Sequence, residues 1–545
     1  MPDHASANAT TACDVVIVGA GFSGLYLLHK MRGLGLTARV FEAGDGVGGT
    51  WYWNRDPGAR VDIESQEYSY SFSDELQDDW RWTERYAAQP ELLAYLNHVA
   101  DRFALRDGIQ FETRVTAAVY DEPSATWRVT TDRGEAVTAR FCVMATGCLS
   151  SPNEPNFPGL ESFKGPTYHT GKWPHEGVDF TGQRVAVIGT GSSAIQSMPQ
   201  IAAQAAHLYA FQRTPNYSVP AHNGPIDPAV VADWKANRAA YRQQERMSAI
   251  GILAIAATER LALETPPDER QKVYEEKWAQ GGFAIGGAFA DTGVDLTANA
   301  TAADFVAGKI AGIVKDPKVA ELLTPKDYPF GTKRLCVDTG YYEMFNRDNV
   351  TLVDVSEAPI EAITPTGIRT ADAEYAVDSI VFAIGFDAMT GALGKIDIRG
   401  RGGLALKDKW AHGPRTYLGL MSAGFPNLFM VTGPGSPSVL SNMVVSIEQH
   451  VDWITDCIDH LNGRQLSSIE ATAEAEDGWV AHVNEVADTT LYPLASSWYL
   501  GANVPGKPRV FMPYVGGVGP SREKCDEVAA NGYEGFALAS AAGRG

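Results

Sequence analysis

The stretch CDVVIVGAGFSGLYLLHKMRGLGLTARVFEAG (residues 13–44) constrains the fold more than any other. An apolar strand leads into Gly19-x-Gly21-x-x-Gly24, a helical stretch follows, and a second strand ends on Glu42, 18 residues beyond the last glycine. Each part answers a physical need. Gly19 permits a tight turn, Gly21 lets a pyrophosphate approach the backbone, and Gly24 lets helix and strand pack closely. The helix N-terminus favours the phosphate charge, with Phe22 and Ser23 in its first turn, and Glu42 can accept a hydrogen bond from a ribose hydroxyl. A second copy, RVAVIGTGSSAIQSMPQIAAQAAHLYAFQRT (184–214), carries Gly189-x-Gly191-x-x-Ala194. Its second strand ends on Gln212-Arg213, where the first copy has an acid. A guanidinium in place of a carboxylate suits a ribose 2′-phosphate, so this copy is expected to take NADPH.

The repetition extends beyond the glycines. The first copy continues to a hairpin-like TWRVTTDRGEAVTARFCVMATG (126–147), and the second closes similarly with GIRTADAEYAVDSIVFAIGFD (367–387). The expected fold class is therefore α/β, with two Rossmann-like dinucleotide-binding domains in the order FAD then NADPH. Residues 221–331 read as a helical insertion in the NADPH domain that roofs a substrate cavity, or as a separate partner-binding module. The expected division is 1–148 with 386–545 for FAD, 149–220 with 332–385 for NADPH, and 221–331 for the insertion. FPNLFMVTGPGSPS (425–438) reads as a strand, a turn and a helix start. Beyond it, Val439, Met443, Ile447, Val451, Ile454 and Ile458 form one apolar helical face, of which only Ser441 to Met443 is expected near a substrate.

A net charge of −21 argues against an extended nucleic-acid surface. No apolar run reaches the length of a membrane span. The longest, AIGILAIAA (249–257), reads as a buried helix or a substrate-tunnel wall. The opening residues, MPDHASANATTACD, lack a basic region followed by an apolar one and do not read as a signal peptide. Six cysteines without CxxC spacing suggest reduced thiols in a cytoplasmic protein. They exclude a Cys-rich metal site and the redox disulfide of the flavin disulfide reductases.

Between the two glycine motifs lies FKGPTYHTGKWP (163–174), too irregular for a strand and too broken for a long helix. Phe163, Gly165, His169, Trp173 and Pro174 fit the pattern FxGxxxHxxxWP. In this position the chain resembles the type I Baeyer–Villiger monooxygenases. The resemblance runs from GVGGTWYWNR (46–55) through GTKRLCVDTGYYEMFNRDNV (331–350) to SWYLGANVPGKPRVF (497–511), and is strongest to the phenylacetone and steroid monooxygenases. It implies an FAD enzyme that uses NADPH and O2 to insert one oxygen beside a ketone carbonyl, giving an ester or lactone. In that family the flavin holds the oxygen as a C4a-peroxide while NADP+ stays bound. Cyclic, aryl or steroid-like ketones are the implied substrates, with sulfoxidation as a side activity.

Negative charge developing beside the flavin requires a fixed cation, and arginine supplies one with several donors. By resemblance, Arg334 in GTKRLC is the catalytic arginine and Asp62 in GARVDIES the acid that holds it. Lys333 is expected to join Arg213 at the 2′-phosphate, and Thr214 beside it is expected to bind the cofactor. Thr190, Gly191, Ser192, Ser193 and Gln196 should line the pyrophosphate or nicotinamide region, and Gly49, Thr50, Trp51 and Tyr52 the flavin. Trp498 matches a tryptophan that contacts the NADP ribose in relatives, although a core aromatic is an equal reading. Gly165, His169 and Trp173 are assigned to the domain junction, His169 as a hinge or positioning group rather than a proton carrier. No metal is expected, and oligomeric state stays open.

Three features depart from the family pattern. Asp56 stands where relatives usually carry an aromatic residue, Ile384 where a threonine is usual, and GGVGPSREKCDEV lacks the expected aromatic and basic residues. The rival reading is a flavin monooxygenase of nitrogen or sulfur heteroatoms, against which the HTGKWP ending counts. A nucleotide-binding sensor without turnover is the alternative from another class.

Overall fold

The computed structural model describes residues 11–255 and 258–540. The stretch 1–10, on which the reading of the opening residues rests, lies outside the described residues, as do Ala256 and Ala257 of the apolar run.

Two parallel-cored sheets carry the architecture. In the first, Thr11–Val18 lies centrally, pairing in parallel with Ala38–Phe41 on one side and Ala136–Met144 on the other. Ile109–Gln110 closes one edge, while Thr126–Thr131, Val115–Asp121 and Asp397–Arg399 extend the other. The nine-residue strand Ala136–Met144 serves two partners along its free side. Its first half pairs antiparallel with Thr126–Thr131, and its last three residues pair in parallel with Leu428–Met430. The late strand thus returns to the first sheet after the second has been built.

The second sheet has five parallel strands in the order Val350–Asp354, His207–Gln212, Arg184–Ile188, Ser379–Phe382 and Thr167–His169. Residues buried on both faces fill its centre, and Val185, Val187 and Val381 are fully buried, as parallel strands covered by helices require. The last strand corrects the sequence expectation for the fingerprint: Thr167–His169 is an edge strand, paired with Ile380–Phe382. Its partner lies some 210 residues away in the chain, so nothing in the local sequence marks the pairing.

Among the described residues between Ala221 and Gly331 the chain forms four α-helices, Pro228–Met247, Pro267–Gln280, Leu296–Ile313 and Pro317–Leu323, and the short 3-10 helix Gly282–Gly287. The described part of the apolar run, 249–255, is a series of bends and not a helix. Gly251, at φ +72°, turns the chain where an L residue would be strained.

Two linkers join the sheets, and they run as an antiparallel pair. Asn153 N–H donates to Gly385 O, Asp387 N–H to Ser151 O, and Met389 N–H to Cys148 O, at 2.8–3.0 Å. Among the described residues no helix is long and apolar enough to cross a membrane.

Candidate active site

The two glycine turns are built alike in three dimensions. Gly19 N–H donates to Phe41 O and Gly189 N–H to Phe211 O, each tying the turn to the neighbouring strand. A Cβ on Gly19 would lie 2.6 Å from Ala145 O, and one on Gly189 would lie 2.2 Å from Ala383 O. The first glycine is therefore required by the strand end beside it as well as by the turn. A Cβ on Gly24 would sit 1.8 Å from Gly19 O, so only glycine lets this helix close on its strand.

Each turn opens a helix, Phe22–Gly33 and Ser192–Gln204, capped by glycine with no side-chain hydrogen bond. Elsewhere Asp227, Asp295, Asn442 and Thr472 cap their helices by accepting from first-turn N–H groups. The two glycine-capped ends leave those donors free for an anion. Around the second, Gly191 has nothing within 4 Å of a would-be Cβ. At the first, Gly49 (φ +53°) faces Gly21 so closely that a Cβ would come 2.9 Å from Gly21 Cα. The bare backbone on both sides is a cradle that side chains would fill, and it fits a dinucleotide pyrophosphate.

The flanking residues take distinct places. Glu42 is buried, and its two carboxylate oxygens accept from the N–H groups of Ala20 and Gly44, both at 2.8 Å. Burial raises its pKa against those bonds. Its first role is thus to hold the glycine loop, with lone pairs left for a ribose. Phe22 and Ser23 are buried in the helix start, and Phe22 packs edge-on against Tyr68. Thr50 is exposed, whereas Trp51 and Tyr52 are buried. Trp51 Nε1–H reaches the Tyr68 hydroxyl Oη at 3.4 Å, and the Tyr52 hydroxyl donates to Asp45 Oδ1 at 2.6 Å.

In the second half, Thr190 donates to Thr214 O at 2.6 Å. Ser192 faces Cys336 Sγ at 3.5 Å, and Ser193 lies half-buried behind it. The Gln196 amide is committed to backbone: it accepts from Arg60 N–H at 3.2 Å and donates to Arg60 O and Val337 O. It therefore ties the first sheet's loop to the second domain. Arg213 is exposed at its strand end, and Lys333 lies near it. Burial, and then the Arg213 charge, push the Lys333 pKa down. Among the described residues neither cation has an ion-pair partner, which leaves both for a phosphate.

Arg334 and Asp62, 272 residues apart, form a bidentate pair. Arg334 Nε donates to Asp62 Oδ2 at 2.7 Å and Nη2 to Oδ1 at 2.8 Å, while Nη1 donates to Val439 O at 2.8 Å. The Phe283 ring stands 5.1 Å from the guanidinium, on its cation–π face. Burial works against the Arg334 charge, but Asp62 and then Tyr499 outweigh it and hold the pKa above the ordinary arginine value. Three of five N–H donors are used in these bonds, and the side chain keeps 23% exposure. Donors therefore remain for a charge that develops beside it. Val439, Phe283 and Tyr499 come from three separate parts of the chain, and sequence reasoning assigned none of them to Arg334. Only Tyr499 had a signal, its place next to Trp498. Trp498 itself is half-buried and packs against Tyr499 at a centroid distance of 4.3 Å.

The fingerprint residues sit at the linkers. His169 Nε2–H donates to Asn153 O at 2.9 Å, and Nδ1 accepts from Gly171 N–H at 3.0 Å. Both ring nitrogens are thus spent on backbone, and burial keeps the ring neutral by lowering its pKa. A Cβ on Gly165 would strike Asp378 O at 2.2 Å, and Trp173 is buried against Tyr168 and Phe180.

A sequence profile described as pyridine nucleotide-disulphide oxidoreductase matches residues 16–260. All six cysteines are free, so the match extends to the nucleotide-binding fold and not to a disulfide. The chain is 46% identical to a Baeyer–Villiger monooxygenase of Pseudooceanicola batsensis over 524 residues, 95% of each protein. It is 43% identical to the phenazine N-monooxygenase PhzNO1 of Lysobacter antibioticus, over 98% of both. Among solved structures, an oxidised steroid monooxygenase bound to NADP is 55% identical. That match covers 97% of this chain and 100% of the other, with a TM-score of 0.94.

Proposed function

The chain belongs to the Baeyer–Villiger monooxygenase family, and we propose that Arg334, held by Asp62, is the charge-stabilising centre of its ketone oxidation. The enzyme uses NADPH and O2, with FAD and NADPH as its cofactors, to convert ketones into esters or lactones. The observation that carries the site reading is the bidentate Arg334–Asp62 pair, partly exposed and still holding unused donors.

The residues present fit both cofactors. Gly21, Gly49 and the uncapped helix start at Phe22 would hold the FAD pyrophosphate, with Glu42 towards its ribose. Gly191, Ser192 and Thr190 would hold the NADPH pyrophosphate, and Arg213 with Lys333 its 2′-phosphate. Bound FAD, reduced by NADPH, supplies the activated oxygen.

The chain's own residues then do four things. Asp62 fixes the plane of the Arg334 guanidinium through two parallel bonds, so no reorganisation is needed as charge develops. The free N–H groups of Arg334 stabilise negative charge on the oxygen that was the ketone carbonyl. Phe283, Tyr499 and the Val439 carbonyl line one side of the guanidinium and lower the local dielectric, which strengthens that interaction. His169, with both nitrogens occupied, holds the linkers rather than moving a proton. Cyclic, aryl or steroid-like ketones are the substrates we assign, with sulfoxidation as a side activity. Six free cysteines favour a reducing compartment, and we assign the chain to the cytoplasm.

The similarity to a phenazine N-monooxygenase favours a second reading, oxidation of a ring nitrogen. Purified enzyme with NADPH, O2 and a panel of ketones, sulfides and phenazines separates the two by product. Ester or lactone from ketones is expected, and N-oxide without ester overturns the reading. Arg334→Ala is expected to keep flavin reduction by NADPH and to lose ester formation by at least about a hundredfold, the scale of a lost charge-stabilising donor. Retained ester synthesis in that variant removes Arg334 from the role.

A further inference from the structure

The half-buried segment 248–255 connects the two elements that touch Arg334, the turn at Val439 and the short helix carrying Phe283. At one end Ile250 O accepts from Asn442 N–H at 2.8 Å, three residues from the Val439 carbonyl that receives Arg334. At the other, Ile255 packs against Gly286 and Gly287, where a Cβ would approach its side chain at 3.2–3.4 Å. Those glycines end the same short helix, Gly282–Gly287, that carries Phe283.

One buried side chain grips this segment from behind. Glu67 is 3% exposed, and its Oε2 accepts from Leu253 N–H at 2.7 Å. Its own carbonyl accepts from Asn442 Nδ2 at 2.9 Å and from Arg242 Nη1 at 3.2 Å. Arg242, buried on the insertion helix Pro228–Met247, also donates to Glu245 at 3.0 Å, to Gln66 O and to Ser69 Oγ. A single residue of the first domain is therefore bonded to the wall, to the cap of the helix Met443–Gly463, and to the insertion helix. Nothing in the Arg334 chemistry itself uses it.

We infer that Glu67 is a positioning residue for the ketone-binding cavity. Its carboxyl and its backbone carbonyl together fix segment 248–255 against Asn442, and so set the wall beside Arg334. The inference rests on the ketone-oxidation reading for the cavity's occupant, but the seating of the wall is a property of the protein alone. Burial, and then the charge of Glu245, push the Glu67 carboxyl well above its ordinary pKa, with Glu64 adding to this and Arg242 opposing it. A glutamine, neutral and of the same shape, thus reproduces the acceptor for Leu253.

The test uses the FAD-loaded enzyme with Glu67→Ala and Glu67→Gln. Glu67→Ala is expected to raise the ketone KM about tenfold, the scale of one buried acceptor lost, with the NADPH KM unchanged. Glu67→Gln is expected to restore the wild-type ketone KM. A wild-type ketone KM in the alanine variant overturns the inference. So does a parallel rise in the NADPH KM, or a glutamine variant no better than alanine. Hydrogen exchange at the Leu253 amide, read without any ketone, separates this inference from the reaction assigned. Faster exchange in Glu67→Ala alone supports the seating role, and unchanged exchange overturns it; absence of ester from the wild type counts only against the reaction. Should the alanine variant not fold, Gly251→Ala probes the same seat, because its Cβ would press on Asn442 Cβ at 3.2 Å at a positive φ. A raised ketone KM is expected there too, and an unchanged one overturns the inference.

Discussion

Asp56 shows how much one residue's meaning depends on its surroundings. The sequence marked it only as a departure from an aromatic position. In the structure it is 3% exposed, and its Oδ2 has no hydrogen-bond partner. It belongs to a loop pressed on the second domain: a Cβ on Gly58 would lie 2.3 Å from Gln196 O. Burial pushes the carboxyl up to about 8, whereas the unfolded chain ionises near the ordinary aspartate value of about 3.9. Between those values the native state holds a proton that the unfolded state has lost, so this group's contribution falls as pH rises and levels off above about 8. Asp56→Asn is accordingly expected to melt higher than the wild type, with a gap that is small near pH 5 and widens towards pH 8. Thermal melting of the FAD-loaded protein across that range checks it, and a gap independent of pH removes the assignment. Burial of this kind is invisible in sequence, because it comes from packing between domains. Arg334 and Asp62 were legible only through resemblance, since 272 residues separate them and neither stands in a local pattern.

At the scale of elements, the glycine-capped helices were the most readable parts of the chain. Their chemistry is local: strand, turn and helix start are contiguous, and each glycine answers a clash within a few residues or with the adjoining strand end. Gly24→Ala is expected to destabilise the first domain by roughly 3 kcal/mol, the upper range for overpacking a close contact, because the new methyl meets a backbone carbonyl. Loss of bound flavin absorbance per protein, together with a lowered melting temperature, is the measurement; full FAD occupancy contradicts it. The strand Thr167–His169 was unreadable for the opposite reason. Three residues of Thr-Tyr-His carry no strand signal by themselves, and the partner that completes them, Ser379–Phe382, arrives late in the chain. Of the two readings of the run 249–255, a buried helix or a tunnel wall, the helix does not form, because Gly251 and bonds to Glu67, Asn442 and Val518 hold the chain as bends.

The whole molecule decides which distant residues meet. Arg213 ends a strand before the insertion and Lys333 follows it, yet the two cations are near enough for one to lower the pKa of the other. Such a pair is costly unless an anion joins it, and the 2′-phosphate of NADPH is the anion proposed for it. Arg213→Ala is expected to weaken NADPH binding by about 1.5–3 kcal/mol, the range for a charge-assisted hydrogen bond, with NADH affected little. Equal losses for both cofactors, measured by titration, contradict the assignment. The linkers work at the same scale. Their antiparallel pairing, His169 bonded across Asn153 and Gly171, and Lys507 clasped to Asp387 at 2.5 Å join the C-terminal segment carrying Tyr499 to the crossing between domains. The sequence by itself determined the two Rossmann-like nucleotide folds, because those depend on residues close together in the chain. The tertiary structure decided what surrounds Arg334, how Glu67 seats the wall beside it, and where Asp56 is buried. Those properties arise from contacts between segments distant in the chain, and hydrophobic periodicity and local spacing carry no record of them.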